Sequence, residues 1–403
     1  MARVTSLALL AASALASTAP SPAAYDVSWS TPSPPSAAHF ADGMPLGNGA
    51  TVALVWANVT AGGVSFYVRH PHAQHTDSQP FTIARVTAAL APNPFASGAY
   101  FNQTHHLEDG SVSILAGGAD AATYAVALRV YVDANSDTVV VTAAARDGAT
   151  PYALAVRVDS ARPAAPLTYT LPFQCFASTS RPDVAGRLAA APAPPGAIAL
   201  RHENCVACGD PDLWGFSIAQ QLAGVLPAPL PPSPLDGRVF GVGVFGAAGG
   251  AAGAPLVPNA DGTALASAAP AAAFTVLVCV RVEDVAAPAD WLAGLAAQMA
   301  RAAAAPEAAR RAASDAWWAA FWGRSWVTLP GDASAVAPQY ARTRFIQAAQ
   351  SRNVRVPIKF NGQLFMTAAG ARGPLDVDAR DWGPDNWCAF CARPPRPRLR
   401  RPF

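Results

Sequence analysis

Short runs of alternating apolar and polar residues recur from Tyr25 to about Val282, and Gly, Pro, Asn or Asp bounds each run. A period of two indicates a strand with one buried face, and many such strands between turn residues are typical of a large antiparallel sandwich. We therefore predict a mainly β fold for this region. The predicted strands are residues 51–56, 64–68, 81–88, 124–132, 138–142, 152–158, 239–245 and 274–282.

The run 124–132 illustrates the pattern. Its even-numbered residues, from Tyr124 to Val132, would share one face of a strand, whereas Arg129 and Tyr131 would lie on the other. We expect the first of these faces to pack in a core.

Stretches rich in Ala, Pro and Gly separate some of the runs, at residues 189–197, 226–235 and 247–260. Such stretches bury little apolar area. We interpret them as surface insertions and assign them no function.

The period changes from two to helical spacing near Ala287, where Trp291, Leu295 and Met299 recur on one side of a predicted helix. Tryptophans then follow at positions 317, 318, 322 and 326. This is too much apolar surface to leave in water, so we expect the stripe to pack on a neighbouring domain rather than form a cofactor-binding box.

The N-terminal end is typical of a secretory signal, with Arg3 before the short apolar run 7–16 and a small-residue cleavage region. We expect a secreted, extracellular protein. No later segment offers about 20 apolar residues without charge or proline, so no membrane span is predicted. Glycosylation sequons at Asn58 and Asn102 support the export route.

Length and charge limit the possible functions. The 403 residues exceed one ordinary domain, and two domains are the natural number. The net charge is only +2, and several of the positive residues lie near the C-terminal end. A nucleic-acid partner would require a basic face on the folded part, so nucleic acid is not an expected partner. The sequence does not indicate the oligomeric state.

The six cysteines do not indicate a disulfide-built fold. Cys205 could pair with Cys208 or with Cys175. The pair Cys388 and Cys391 forms a second CxxC motif that could join Cys205 and Cys208 in a four-thiolate zinc site. Zinc ribbons keep their two pairs about 15–20 residues apart, so a local disulfide or free thiols are the preferred interpretation.

The string Gly241-Val-Gly243-Val-Phe-Gly246 matches a dinucleotide-binding fingerprint. That fingerprint requires a helix directly after it, and the following residues are a Gly/Pro-rich loop. A glycine-bearing strand is the better interpretation.

His70, His72 and His75 place three imidazoles in a short segment, as a zinc or copper site could use. Proline between the first two favours a turn, and no carboxylate or thiolate is placed beside them. We favour an ordinary polar loop and predict no metal and no cofactor.

Several spaced motifs change the functional interpretation. The most informative are Met44-Pro-Leu-Gly-Asn-Gly-Ala50, Pro357-Ile-Lys-Phe-Asn-Gly-Gln-Leu-Phe365 and Asp378-Ala-Arg-Asp-Trp-Gly-Pro-Asp-Asn-Trp387. The others are Phe66-Tyr67, Leu90-Ala-Pro-Asn-Pro-Phe95, Leu107-Glu-Asp-Gly110, Val130-Tyr-Val-Asp-Ala-Asn135 and Phe321-Trp-Gly-Arg-Ser-Trp326. In this order they resemble the N-terminal domain of the domain-of-unknown-function family 5703, a relative of the family 95 glycoside hydrolases, whose characterised members include α-L-fucosidases.

The resemblance implies the architecture of a six-hairpin glycosidase. After a signal peptide at 1–19, it implies a super-β-sandwich over 20–285, a helical linker over 286–330 and the start of an (α/α)6 barrel over 331–387. Since an incomplete barrel cannot bury the apolar faces of its helices, we expect low order after Gly331.

The stretch 388–403 departs from the family pattern and is rich in Arg and Pro. Prolines at this density exclude a helix, so we expect disorder there. We interpret the tail as a misread intron or reading frame, with a true alternative ending as the other interpretation.

Five residues of the barrel segment are expected to face a sugar pocket in a complete relative, because an Asp–Arg pair beside a Trp can hold hydroxyl groups and a pyranose face. They are Lys359, Asn361, Asp378, Arg380 and Trp382. A structural Asp378–Arg380 ion pair is the alternative.

By resemblance the enzyme class is an inverting O-glycosyl hydrolase, which needs a general acid and a general base on opposite sides of the sugar. The family pattern places these groups beyond residue 403, so no catalytic residue is assigned. We expect a secreted glycoside-hydrolase-like protein with a carbohydrate partner that is inactive as this chain. A non-catalytic carbohydrate-binding protein and an extracellular structural protein are the alternatives.

Overall fold

A computed structural model describes residues 21–32, 43–76, 81–95, 99–160, 167–170, 177–189, 191–210, 233–247, 254–327 and 331–352. The expected signal peptide and the tail 388–403 lie outside these ranges. The five expected sugar-facing residues also lie outside them, namely Lys359, Asn361, Asp378, Arg380 and Trp382.

The fold is mainly β, as predicted, and consists largely of two antiparallel sheets. The strands are β1 Val27–Trp29, β2 Met44–Gly47, β3 Val52–Asn58, β4 Gly63–Arg69, β5 Ala84–Ala91, β6 Phe101–His106, β7 Ser111–Ala116, β8 Val126–Val132, β9 Thr138–Ala145, β10 Ala153–Asp159, β11 Leu167–Thr170, β12 Ala177–Ser180, β13 Val184–Arg187, β14 Ile198–Glu203, β15 Arg238–Gly246, β16 Leu256–Pro258, β17 Ala264–Ser267 and β18 Ala273–Asp284. All eight predicted strands are present, with small shifts at their ends.

Strands close in sequence are often neighbours in the sheets. The nine-stranded sheet has the order β1-β6-β7-β8-β9-β18-β15-β14-β13, and the seven-stranded sheet has the order β16-β17-β10-β5-β4-β3-β2. Strands β11 and β12 form a separate two-stranded sheet. The chain passes between the two large sheets several times, for example through the short segments 146–152 and 268–272.

Within the described residues, three α-helices follow β18: α1 Pro288–Ala304, α2 Glu307–Arg324 and α3 Ala337–Gln350. Short 3-10 helices occupy Pro22–Tyr25, Val206–Cys208 and Gly331–Val336. None of the helices in the described part of the chain has both the length and the apolar character that a bilayer crossing requires.

The main hydrophobic core lies between the two sheets and takes side chains from both. Strand β10 shows why the sequence folds this way, because Leu154, Val156 and Val158 are buried whereas Ala155 and Arg157 are exposed. Each buried aliphatic side chain contributes roughly 1.5–3 kcal/mol of transfer free energy. The alternation of apolar and polar residues in the sequence therefore follows from the two-layer fold, in which each strand turns one face to the core.

Strand β8 is buried on its predicted core face and also, at Tyr131, on the opposite face. Its even-numbered residues from Val126 to Val132 enter the core as expected, but Tyr131 is only 1% exposed. The Tyr131 hydroxyl donates to Glu307 Oε1 at 3.3 Å, and the Arg311 guanidinium lies 4.9 Å from the ring centroid. Helix α2 therefore covers part of the outer face of the nine-stranded sheet.

Helix α1 covers another part of that outer face, and glycines in β15 make room for it. A Cβ on Gly243 would clash with Met299 Sδ, and a Cβ on Gly241 would lie 2.8 Å from Trp291 Cη2. Trp291 and Met299 are fully buried there. The fingerprint-like string is thus a strand, as predicted, and its glycines allow close sheet–helix packing.

The stretches interpreted as surface insertions are not wholly on the surface. Residues Leu256–Pro258 form the edge strand β16, because a short apolar segment pairs with β17. Ala197 and Leu235 are only 2% and 8% exposed. For these residues the surface interpretation was wrong, since local composition does not reveal which positions contact the sheets.

The tryptophan stripe packs on the sandwich, which confirms its predicted role as a hydrophobic anchor. Trp318 and Trp322 are 1% and 7% exposed and belong to the main core. Trp322 Nε1 donates to the Leu107 carbonyl at 2.9 Å.

The expectation of low order after Gly331 is wrong for residues 331–352. Phe345 in α3 is fully buried, stacks on Trp318 at 4.9 Å and meets His105 edge-on at 4.7 Å. The apolar face of α3 is covered by α2 and by the sandwich, so it needs no barrel partner. The described residues do not form a helical barrel.

Candidate functional site

Two motifs that are distant in sequence meet beside β8 and β9. Asn48, in the turn between β2 and β3, donates through Nδ2 to the carbonyls of Asp133 and Ser136 at 3.1 and 2.9 Å and to Asp137 Oδ1 at 3.3 Å. Its Oδ1 accepts from the backbone N–H groups of Ala50 and Thr51. One amide side chain therefore holds the β2–β3 turn against the β8–β9 turn.

A second junction joins the β6–β7 turn to helix α2. Leu107 accepts the hydrogen bond from Trp322, and Gly110, at φ 65°, lies directly against the Trp318 ring. Asp109 pairs with Arg311 of α2. The motifs around residues 107–110 and 321–326 are thus the two halves of one contact.

Arg352 connects the end of α3 to the first junction. Its Nη1 donates to the Ala134 carbonyl and its Nη2 to the Gly47 carbonyl, each at 3.3 Å. Burial, with the nearby charge of Arg324, lowers the pKa of Arg352 to about 9. The guanidinium lies 3.2 Å from the centroid of the Trp317 ring.

A groove of about 750 Å³ runs between α2 and α3. Its aromatic faces are already covered, because Trp317 stacks on Phe321 at 5.5 Å and carries Arg352 on the ring. Arg344 lies 4.6 Å from the Phe321 centroid. Neither Trp317 nor Phe321 therefore offers a free ring face to a flat ligand in this groove.

A more polar cavity, here named the sheet–helix cleft, lies between the β8–β9 turn, β18 and helices α1 and α2. Its volume is about 610 Å³, within the usual range of small-molecule sites. The lining residues share a mixture of carboxylates, amides, guanidinium groups and small apolar side chains. The polar members are His70, Asp133, Asn135, Ser136, Asp137, Thr138, Arg281, Gln298, Arg301 and Arg310.

The carboxylates of the cleft are fixed by hydrogen bonds. Asp133 accepts from the Asn135 N–H at 3.0 Å and from Ser136 Oγ at 2.6 Å, and Arg310 Nε lies 3.9 Å from Oδ2. Asp137 accepts from Thr51 Oγ1 at 3.0 Å as well as from Asn48. These donors hold both carboxylate groups in place as hydrogen-bond acceptors.

The other polar groups of the cleft are an amide fixed by the backbone, two exposed side chains and a buried imidazole. Gln298 donates through Nε2 to the carbonyls of Asp137 and Val280, which leaves its Oε1 to accept. Asn135 and Arg301 are exposed. Burial lowers the pKa of His70 to about 4, so its imidazole is neutral at pH 7. The cleft thus presents neutral and charged hydrogen-bonding groups on a rigid frame.

A separate buried cluster lies below the loop after β4. His75, His202 and Asp210 are 0%, 1% and 4% exposed, and one potential ligand atom of each lies within 4.8 Å of the others. Asp183 Oδ1 lies 3.0 Å from His202 Nδ1, and Arg181 Nε lies 3.5 Å from Asp210 Oδ1. We name these three residues the His–Asp cluster.

Asp210 is held as a carboxylate within this cluster. Burial acts to raise its pKa, but the hydrogen bonds from His75 and from the Cys205 N–H outweigh burial, and the net shift is downward. Cys205 forms a disulfide with Cys208, one of the pairings that the sequence left open. This bond excludes the four-thiolate zinc site, because a disulfide sulfur is not a thiolate ligand.

The histidine segment is only partly the polar loop that the sequence predicted. His70 and His75 are buried, and only His72 is half-buried. Burial follows from ring contacts, since His75 stacks on Phe81 at 5.1 Å and His70 meets His72 edge-on at 5.2 Å. The structure brings His75 to His202 and Asp210 rather than to its neighbours in sequence.

The predicted glycosylation residues lie at half-buried positions on strands. Asn58 donates through Nδ2 to Ser65 Oγ at 2.9 Å, and Asn102 accepts from Thr104 Oγ1 at 2.7 Å. Glycosylation of either residue stays a prediction. The sugar-facing residues expected at 359–382 cannot be compared with the cleft, because they lie outside the described residues.

Sequence reasoning missed the lining of the cleft and two members of the His–Asp cluster. Asp133 and Asn135 were part of a motif but had no assigned role, and His202 and Asp210 carried no motif. Their partners are far away in the chain, so no local spacing could have identified them.

Comparison with known proteins assigns a family but no activity. A family model described as "Domain of unknown function (DUF5703)", for the N-terminal domain, matches residues 28–327. A comparison with curated proteins finds no match.

Among solved structures, the chain is similar to one described as "Putative kojibiose phosphorylase from human microbiome", with 8% identity and a TM-score of 0.46. The match covers 81% of this chain and 41% of that protein, so this chain spans less than half of its length. The family match covers most of the 403 residues and includes both large sheets and helices α1 and α2. The chain therefore belongs to the DUF5703 family, through that family's N-terminal domain.

Proposed function

We propose that this chain is the saccharide-binding, non-catalytic part of a secreted glycoside-hydrolase-like protein, and that the sheet–helix cleft is its binding site. The observation that carries the proposal is the cleft itself. It combines about 610 Å³ of space with carboxylate, amide and guanidinium groups on a rigid frame.

Saccharides suit this chemistry because every hydroxyl group both donates and accepts a hydrogen bond. Asp137 and Gln298 supply acceptors, and Asn135 and Arg301 supply donors. Alanines of α1 and α2 form an apolar wall against which the C–H face of a sugar can pack. No Trp, Tyr or Phe lines the described cleft, so we expect a modest affinity, on the order of 1 mM or about 4 kcal/mol.

Catalysis by the cleft is not proposed. An inverting glycosidase needs a protonated general acid as well as a base. Asp133 and Asp137 both accept hydrogen bonds from neighbouring groups of the protein, so neither carboxylate stands free to serve as that acid. From the motif resemblance we expect the catalytic groups outside the described residues, and we propose that the cleft binds or guides a saccharide for the domain that carries them.

Secretion is part of the proposal and rests on separate support. The disulfide between Cys205 and Cys208 fits an oxidising compartment. It agrees with the signal-like N-terminal sequence and the two sequons.

The binding test is a glycan array on the 403-residue chain, followed by calorimetric titration of the best saccharide. Asn135→Ala and Arg301→Ala remove exposed cleft groups, so folding should be unchanged. We expect each to weaken binding about tenfold, since each removes about 1.4 kcal/mol of interaction.

The matched control is Arg157→Ala, which removes an exposed guanidinium from β10 in the other sheet. Binding by this variant should equal that of the wild type. An array without signal from a correctly folded chain, or equal losses in the control and the cleft variants, would reject the proposed site.

A further inference from the structure

We propose that the His–Asp cluster is a structural zinc site, formed by His75, His202 and Asp210. This inference is independent of the proposed saccharide cleft, because none of the three residues lines it. Three parts of the chain supply the ligands: the loop after β4, strand β14 and the segment after the 3-10 helix Val206–Cys208.

The spacing fits a first-row metal. Zinc bonds to nitrogen and oxygen of about 2.0–2.2 Å place tetrahedral ligand atoms roughly 3.3–3.5 Å apart. His75 Nε2 lies 3.7 Å from Asp210 Oδ1, and the three potential ligand atoms lie within 4.8 Å of one another. A side-chain adjustment of about 1 Å would complete the coordination.

Neighbouring groups already orient the ligands. Asp183 Oδ1 lies 3.0 Å from His202 Nδ1, so a proton on Nδ1 directs the lone pair of the ring to Nε2. The Cys205 N–H donates to Asp210 Oδ2 at 2.7 Å, which leaves Oδ1 as the ligand atom of this carboxylate. Carboxylate–histidine pairs of this kind are a usual outer shell of zinc sites.

The walls of the cluster are rigid and apolar. Phe81 stacks on His75 at 5.1 Å with an interplanar angle of 19°, and Phe240 lies 5.0 Å from the His202 ring. Such walls restrict ring rotation. With three protein ligands, a water molecule would fill the fourth position of a tetrahedral zinc ion. A buried site of this type stabilises a fold by tying distant segments together.

The donor atoms of the cluster favour zinc over calcium or magnesium. Two imidazole nitrogens and one carboxylate form a mixed donor set, whereas calcium and magnesium prefer oxygen ligands. The carboxylates of Asp210 and Asp183 balance a divalent charge. Arg181 opposes the metal from the outer side of Asp210, at 3.5 Å, with 30% of its side chain exposed. In a metal-free state the same groups would form a salt-bridge network instead.

The test measures metal content and spectrum on the full chain. After chelation and reconstitution with zinc, the wild type should retain about one zinc per chain by elemental analysis. Cobalt substitution should give visible d–d bands of a four-coordinate site. Asp210→Asn and His202→Ala should each weaken zinc binding at least about tenfold.

The matched control is His106→Ala, which removes a half-buried histidine that pairs with Asp26 in another part of the sandwich. This variant should keep its zinc and its cobalt spectrum. If the cluster variants do not fold, the wild type decides the question, because zinc should raise its unfolding temperature and a chelator should reverse the rise. A folded wild-type chain that holds no zinc and shows no cobalt bands would overturn the proposal.

Discussion

At the scale of the residue, Asn48 shows how much a single side chain can organise. Its amide connects two turns through hydrogen bonds on both the nitrogen and the oxygen. The sequence marked Asn48 as part of a motif, but its partners Asp133 and Ser136 lie 85 and 88 residues away. Such a role cannot be read from local spacing.

Gly110 offers a direct test of the junction between the β6–β7 turn and α2. A Cβ at this position would lie 2.7 Å from Trp318 Cζ2, and φ is +65°. We expect Gly110→Ala to lower the free energy of unfolding through both backbone strain and the steric clash, measured by urea denaturation.

Gly148→Ala is the matched control, because Gly148 has the same φ of +65° and a Cβ there would meet nothing within 4 Å. The difference between the two variants therefore isolates the clash, for which we expect about 1–3 kcal/mol. Equal destabilisation would show that Trp318 does not lie against Gly110.

His75 illustrates the limit of sequence reasoning at a candidate site. The segment with His70, His72 and His75 was interpreted as an ordinary polar loop, yet His75 lies beside residues more than one hundred positions away. The sequence identified a residue type that can bind a metal but could not identify its partners, because long-range strand pairing determines them.

At the scale of the element, apolar periodicity found eight strands and missed others, including β7, which buries Val112 and Ile114, and β6, which buries polar side chains. Strand β6 buries Gln103 and His105, at 2% and 5% exposure. Gln103 Oε1 accepts from the Ala57 N–H at 2.8 Å, which compensates for its burial. Buried and half-buried residues alternate along β6 with a period of two, but two of the three buried residues are polar.

Helices α2 and α3 were predicted less well than the strands. The tryptophan stripe correctly indicated a buried face on α2. The order of α3 was not foreseen, because a barrel fragment was expected to lack a partner. Phe345 instead finds a partner in Trp318 and in His105 of the sandwich.

Trp318→Ala tests whether α2 and α3 depend on the sandwich. Trp318 is 1% exposed and stacks on Phe345, so its removal leaves a large cavity. We expect a loss of about 3–5 kcal/mol in the free energy of unfolding and faster proteolysis within α3.

Trp317→Ala is the comparison, since Trp317 lies one position earlier on α2 and is only half-buried. It should cost less stability and leave α3 more resistant to protease. Similar behaviour of the two variants would contradict the assigned packing.

At the scale of the whole molecule, the described family motifs form junctions that hold helices on a two-layer β fold. Asn48 with Asp133, and Leu107 with Trp322, connect distant segments through hydrogen bonds. These motifs lie within the segment that matches the DUF5703 family, and their contacts are structural ones between sheets and helices. The first of these junctions holds Asp133 in one wall of the sheet–helix cleft, where we propose that a saccharide binds.

The central claim is binding without catalysis, and turnover of the bound saccharide tests it most directly. The 403-residue chain is incubated with the saccharide that it binds best, and the release of reducing ends is followed over time. We predict that the saccharide is recovered intact at every concentration of protein. Release that rises with protein concentration and is abolished by Asp133→Asn would contradict this account.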